Sequence, residues 1–370
     1  MSLDSLLFGF GRAGRELHYC CLCKTVERLG SRDLVSGRIG IVDVLPSALE
    51  DVGDLPTYRS IHDVKGFNPA NTVVHICTAP LQHLNSVEQA VEAGFRSFII
   101  EKPMVQTMGE FEQLASLQAR YGLKIVGVAN WLSAPLTLRI RQMIDSNELG
   151  TLFNVKIENS KPRVSRTLRN KSHSTCFDVE MPHLVGLALY LGGTDARLLD
   201  ASCSDLRFID DVVPHMGSAS IQLLHDGKLP CRLYSSLESP MRKRHVQLDF
   251  LHGSVSAYYP CGNDDSCSWL QISDRNGNVV AREVFEDDTL SSCFIEYYKY
   301  FARRGPAPQS DLQFNERLVD LLHEAKAYCG ILPDDGAVLR EKSLPRSGQR
   351  MAPILSAARS PLTTKLVEGL

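Results

Sequence analysis

No stretch of the chain approaches the ~20 consecutive apolar residues that a membrane helix requires. The uncharged run from Ile125 to Leu138 is broken by Asn130 and Pro135. The N-terminus lacks the basic start and small-residue cleavage site of a secretory signal, so a cytoplasmic location is expected. Neither sign of charge dominates: 40 Lys and Arg face 43 Asp and Glu, for a net −3. That balance offers nothing to nucleic acid or to an acidic membrane surface, and neither is expected as a partner. A hydrophobic share of 44% excludes disorder for most of the chain. Internal repeats and low-complexity tracts are absent. Cysteine is plentiful, at 11 residues, but Cys20-x-x-Cys23 falls in a predicted helix with no second Cys/His pair at zinc spacing. We read these as free thiols packed as small hydrophobes, with no metal site.

At about 150 residues per domain, 370 residues suggest two domains. Up to about residue 130, short apolar runs at Leu6–Phe8, Ile39–Val42, Val73–Ile76, Ser97–Ile100 and Ile125–Ala129 read as strands buried on both faces. Helical patterns such as Pro80–Ala93 and Thr107–Tyr121 alternate with them, which implies βαβ units. After Gly150 the rhythm changes. One helix, His183–Leu191, ends at Gly192-Gly193. Strand-like runs then follow at Ser218–Leu224, Arg232–Leu237, Val246–Leu251, Ser268–Ile272 and Val279–Val284, separated by short turns. Helices are expected at Thr289–Arg303 and Leu312–Tyr328. The predicted fold is α/β: a doubly wound parallel Rossmann sheet over 1–130, then an α+β domain with a largely antiparallel open sheet over 131–333. Residues 334–370 read as an extended tail.

Gly9-Phe10-Gly11-Arg12-Ala13-Gly14 is a G-x-G-x-x-G between the first strand and a helix, the context in which that string binds a dinucleotide. The first glycine permits a tight turn, the second admits a pyrophosphate, and the third lets helix and strand pack closely. The helix N-terminus adds free N–H groups for the phosphates. Asp43 closes the second strand, where an acid accepts hydrogen bonds from ribose hydroxyls and repels a 2′-phosphate. It lies further along than the usual spacing of about 20 residues, so a long intervening element is expected. No Arg or Lys follows before Arg59, which favours NAD over NADP.

Ile99-Ile100-Glu101-Lys102-Pro103 places Lys102 beyond the carboxyl end of a strand, where open α/β sheets bind ligands. Together with the Gly9–Gly14 turn, Thr78-Ala79-Pro80 and His83, Asn130, the Ile144–Leu152 passage and the His183 helix, it resembles the Gfo/Idh/MocA family. The likeness runs from about residue 4 to 330. It implies a nicotinamide-dependent oxidoreductase acting on a sugar, cyclitol or related alcohol. It also implies cofactor contacts from Thr78, Ala79, Pro80, His83, Glu101 and Asn130, and substrate contact and proton transfer by Lys102 and His183.

The sequence departs from the family's Asp-x-Gly-x-His: Phe177-Asp178-Val179-Glu180-Met181-Pro182-His183 has Val179 in place of the acid. Glu180 and Asp178 flank the gap. Glu180 is a candidate catalytic acid–base, and Asp178 a candidate substrate contact. Near a helix start, His183 should be neutral and able to accept a proton. Trp131 follows Asn130 where the family often has Arg, and could stack on a sugar or fill the core. Lys161, Arg163, Arg166, Arg169 and Lys171 form a basic run without acids. Arg163 and Arg166 could hold a phosphate or nucleotide diphosphate of the substrate, or the run could be a solvated loop.

The expected function is NAD(H)-dependent interconversion of a secondary alcohol and a ketone on a sugar, cyclitol or activated sugar. The alternatives are a non-catalytic dinucleotide sensor of the same fold and, more remotely, a C=N or dihydrodiol-type reductase. The broad sheet suggests a homodimer or homotetramer.

Overall fold

The computed structural model describes residues 2–169, 173–261 and 266–331. The expected tail at 334–370 and Lys171 lie outside the described residues.

Strands β1 (Leu3–Phe8), β2 (Val35–Val42), β3 (Thr57–Tyr58), β4 (Thr72–Ile76), β5 (Ser97–Ile100) and β6 (Lys124–Gly127) form one parallel sheet in the order β3-β2-β1-β4-β5-β6. Every residue of β4 is buried, as expected of a strand covered on both faces. The order reverses between β1 and β4, so their carboxyl ends frame a crevice suited to a ligand. A wide-turned helical segment, Ala13–Tyr19, runs into α1 (Cys20–Leu29), which ends on left-handed Gly30. This long helix and the eight residues of β2 account for the distance from Gly14 to Asp43. Helices α2 (His83–Glu92) and α3 (Met108–Tyr121) complete the layers, α3 opened by a Thr107–Glu110 capping box.

Helix α4 (Pro135–Asp145) leads to β7 (Leu152–Pro162), followed by α5 (Val164–Arg169) and α6 (Met181–Gly192). Then come β8 (Ala196–Cys203), the small hairpin β9 (Leu206–Phe208) and β10 (Asp211–Val213), β11 (Ser218–His225), β12 (Leu229–Ser236), β13 (Glu238–Phe250), β14 (Gly253–Tyr258), β15 (Cys267–Asp274) and β16 (Val279–Glu286). The large sheet runs β16-β15-β14-β13-β7-β12-β11-β8. All its pairings are antiparallel except β7 with β12. Strand β7 was not expected; its charged outer positions obscured the buried Val155 and Ile157.

The chain does not stay in the second domain. Helix α7 (Thr289–Phe301) returns to pack Phe294, Tyr297 and Tyr298 against β1, β2 and β6 in one apolar cluster. Helix α8 (Leu312–Tyr328) packs on α6 and α3. Among the described residues no helix is long and apolar enough to cross a membrane. Of the C-x-x-C, Cys20 is exposed and Cys23 half-buried, with only Cys21 between them buried, correcting the reading of these thiols as packed small hydrophobes.

Candidate active site

The nucleotide end of the crevice is built from backbone. Gly9 has φ +94°, and a Cβ there would come within 2.6 Å of the Thr78 amide. A Cβ on Gly14 would overlap the Gly9 carbonyl oxygen. A Cβ on Gly11 would meet nothing within 4 Å, so open space lies beside the position where a pyrophosphate is expected. Asp43 accepts hydrogen bonds from the Phe10 and Leu45 amides at 2.7 and 2.9 Å, fixing the turn against β2. A groove of about 470 Å³ beside it is lined by Phe10, Gly11, Arg12 and Arg15, with Ser47 and Ala48 opposite. Arg12 is exposed and pairs with Glu16; Arg15 lies over the Phe10 ring and donates to the carbonyls of Ala48 and Glu50. These features fit a dinucleotide: a close-packed glycine turn, an open approach and an acid at the ribose end.

Two expected cofactor contacts are occupied otherwise. His83 is buried, its Nδ1 facing the Pro103 and Met104 carbonyls and its Nε2 the Thr78 carbonyl. It ties the β4 loop to the β5 loop, because a ring walled in by three carbonyls has no free edge for a cofactor. Asn130 donates to Thr289 Oγ1 at the start of α7. Ala79 and Pro80 stay at the surface of the crevice, and the Thr78 hydroxyl meets Ser86.

Glu101 is anchored from below. One carboxylate oxygen accepts from His18 Nε2 at 2.9 Å, and the other from the Lys102 amide at 3.0 Å. Burial would raise its pKa, but the bond and charge of His18, with Lys102, hold it down at about 2. His18 continues to His75 (2.8 Å), Tyr298 (2.9 Å) and Ser5 (2.5 Å), a buried polar chain beneath the lysine turn. Only His75, a polar residue inside an otherwise apolar strand run, signalled this chain in the sequence.

Lys102 Nζ donates to the Val179 carbonyl at 2.6 Å, across the junction of the two domains. The residue in place of the family's acid therefore still meets the lysine, through its backbone. Glu180 is buried and holds Lys161 and Asn159 with its two oxygens. Burial opposes its charge, yet the charges of Lys161 and Lys102 keep it ionised, at about 2. Lys161 is itself lowered to about 8, first by burial and then by Lys102 and Arg163 against the pull of Glu180. Burial, reinforced by the Lys102 charge, depresses His183 to about 3, so its imidazole is neutral at ordinary pH. Lys102, Glu180 and His183 thus share one electrostatic neighbourhood, to which the structure adds Lys161 and Asn159 from β7.

Two expected substrate contacts are engaged otherwise and a third lies at the surface. Asp178 caps a helical turn at Thr175 and pairs with Lys326 of α8 at 2.5 Å, leaving it buried and committed. Trp131 is 4% exposed and stacks on His183 (5.7 Å) and Tyr259 (4.5 Å); it supports the histidine from the core and offers no face to a sugar. Arg166 is exposed, because α5 turns its Thr167 side inward. No metal-binding group of three His, Cys, Asp or Glu occurs among the described residues.

A family model described as an oxidoreductase family with NAD-binding Rossmann fold, that of Gfo/Idh/MocA, matches residues 6–129. Oxidoreductase P35 of Formosa agariphila is 25% identical over 148 residues, 37% of this chain and 46% of the relative, so the match spans about half of that protein. Among solved structures, a variant of KijD10, a 3-ketoreductase from Actinomadura kijaniata in complex with TDP-benzene and NADP, superposes with a TM-score of 0.72. Identity is 13%, covering 89% of this chain and 98% of that one. The UDP-N-acetylglucosamine 3-dehydrogenase GnnA from Acidithiobacillus ferrooxidans gives 0.67 at 17% identity, covering 89% and 98%. At these identities the two structures establish a shared fold. Residues 6–129 are thus similar to the NAD-binding Rossmann domain of the Gfo/Idh/MocA oxidoreductase family.

Proposed function

We propose that the chain is an NAD(H)-dependent oxidoreductase that interconverts a secondary alcohol and a ketone on a sugar, cyclitol or activated sugar. The observation that carries this reading is the convergence of Lys102, His183 and the Glu180–Lys161 pair beyond the carboxyl ends of the parallel strands. The turn at Gly9–Gly14 and Asp43 would hold the dinucleotide, which supplies hydride exchange when bound. The protein's part is to orient the carbinol and manage its proton. Lys102 Nζ would leave the Val179 carbonyl to donate to the reacting oxygen. Neutral His183, braced by Trp131, would accept a hydrogen bond from the same hydroxyl. Lys161, near 8, lies closest to the pH at which a proton is readily both taken and released. Glu180, at about 2, is a poor base and acts as the fixed counter-charge.

NAD is favoured over NADP because a carboxylate at the end of the second strand, Asp43, would repel a 2′-phosphate there. The neighbour crystallised with NADP makes the comparison of NADH and NADPH turnover the direct check. A chain acting on nucleotide-linked sugars would parallel the neighbours named for TDP and UDP compounds.

Self-association is also proposed. One cross-strand row on the outer face of the large sheet aligns Glu158, His245, Tyr258, Trp269 and Val284. Tyr258 stacks on both His245 and Trp269 at 4.4 Å, and Val284 is 70% exposed. A strictly monomeric protein in light scattering would overturn this.

The central test is Lys102→Ala assayed with ketosugars and their alcohols. It should bind NADH as the wild type does while turnover falls by about 10²–10⁴-fold. Full activity would remove Lys102 from the mechanism. Tight NADH binding by the wild type without turnover on any substrate of the panel would favour the sensor.

A further inference from the structure

Where β7 runs into α5, the fold buries a cation whose donors are not all hydrogen-bonded. Arg163 is 4% exposed, yet its Nε and Nη2 make no hydrogen bond. Thr167, one helical turn on and 3% exposed, has an unpartnered Oγ1. His173 Nδ1 is likewise buried and unpartnered, and its ring feels the charges of Lys102, Arg163 and Lys161. Leaving a buried donor unsatisfied costs ~1–3 kcal/mol, and more when it is charged. Native proteins rarely carry several such groups in one place without a ligand to complete them.

The charge balance points the same way. Lys102, Lys161 and Arg163 gather around Glu180, while nearby Asp178 is spent on Lys326. Positive charge is in excess, in a setting that burial makes costly. The planar guanidinium fork matches a carboxylate or a phosphate with two parallel bonds, which an ammonium cannot do.

We infer that Arg163, with Thr167 and His173, forms a subsite for an anionic group, phosphate or carboxylate, carried by the substrate beside its reacting alcohol. This rests on the oxidoreductase reading above and narrows it to acidic substrates such as sugar phosphates, uronates or nucleotide-linked sugars. The other possible source of the anion is the cofactor's own diphosphate, since Arg12 of the glycine turn is among the charges acting on Arg163.

The experiment uses the full chain saturated with NAD⁺ and inorganic phosphate as the probe, at constant ionic strength. Phosphate should raise the melting temperature of the wild type saturably. Arg163→Gln should abolish that response, and Arg163→Lys should weaken it by about tenfold because the fork is lost. NADH affinity, followed by fluorescence, should stay within about twofold in both variants. Thr167→Val should reduce the phosphate response without touching NADH binding. In the absence of ligand, Arg163→Gln should melt no lower than the wild type, because it removes a buried unpaired charge. A wild type indifferent to phosphate, an Arg163→Gln protein that still responds, or one that melts well below the wild type would each overturn the subsite. NADH affinity falling together with the phosphate response would assign Arg163 to the cofactor and overturn it equally. The two readings fail separately: a phosphate response without turnover on any sugar keeps the subsite and sinks the sugar reading. Turnover on neutral inositol or glucose without a phosphate response does the reverse.

Discussion

At the glycine turn the chain meets the needs of its half-buried carboxylate: Asp43 takes the amides of Phe10 and Leu45, and Gly14 packs closely on the Gly9 carbonyl. At the β7–α6 end it does not. There Arg163, Thr167 and His173 retain buried unpartnered atoms, and Glu180 is charged because Lys161 and Lys102, cations from two separate segments, face it. The first region is a rigid backbone cradle for a ligand common to many enzymes. The second is an electrostatically loaded cluster that, on our proposal, a particular substrate would complete. Generic binding can be built from close packing, whereas selectivity is held in groups left to be satisfied.

The largest effect should come from the loaded region. Glu180→Gln keeps the shape but strips the counter-charge from half-buried Lys161, and breaking a buried pair costs roughly 3–5 kcal/mol at most. Urea unfolding would measure it, and a loss below ~1 kcal/mol would show the pocket to be less desolvated than its burial implies. The cradle should respond through packing. Gly14→Ala should cost about 1–3 kcal/mol by overpacking, whereas Gly11→Ala should leave stability unchanged and weaken NADH binding. Equal stability losses would mean that the space beside Gly11 is not the ligand's.

Asp43→Ser should relax cofactor choice by about tenfold in the NADH-to-NADPH ratio of kcat/KM, and also loosen the turn. An unchanged ratio would move specificity elsewhere, with Arg15 the first residue to examine. The smallest effect is a pH slope. His183 is lowered to about 3 in the fold, so between about pH 6.5 and 4.5 the unfolded chain binds a proton that the folded ring refuses. Stability should therefore fall as pH drops through that window. His183→Gln should flatten the slope by at most about 1.4 kcal/mol per pH unit. The same slope in both proteins would show that His183 is not held neutral.

The cradle was legible because its signals are local. Glycine spacing, an apolar strand before it and an acid at the next strand end are all properties of contiguous residues. Lys102 was legible for the same reason, standing at a strand end before proline. The pocket was legible only in outline. Val179 in place of an acid was visible, but its carbonyl meeting Lys102 was not, since that contact joins positions 77 residues apart. The basic run was visible, but the chain buries Arg163 just before α5 while α5 sends Arg166 outward, and six helical residues carry too little amphipathic pattern to tell the arginines apart. Asp178 and Trp131 had the right composition for a sugar site and were claimed by Lys326 and by the His183 and Tyr259 rings.

By itself the sequence determined the parallel sheet, its phosphate-binding turn, the lysine at the strand end and the largely antiparallel second sheet, because each follows from short-range periodicity or spacing. Only the tertiary structure decided that β7 sits at the centre of that sheet and that α7 returns to the first domain. It also decided which of the many charges are buried together. Charge becomes chemistry through desolvation and proximity, and both are set by which distant segments pack against one another.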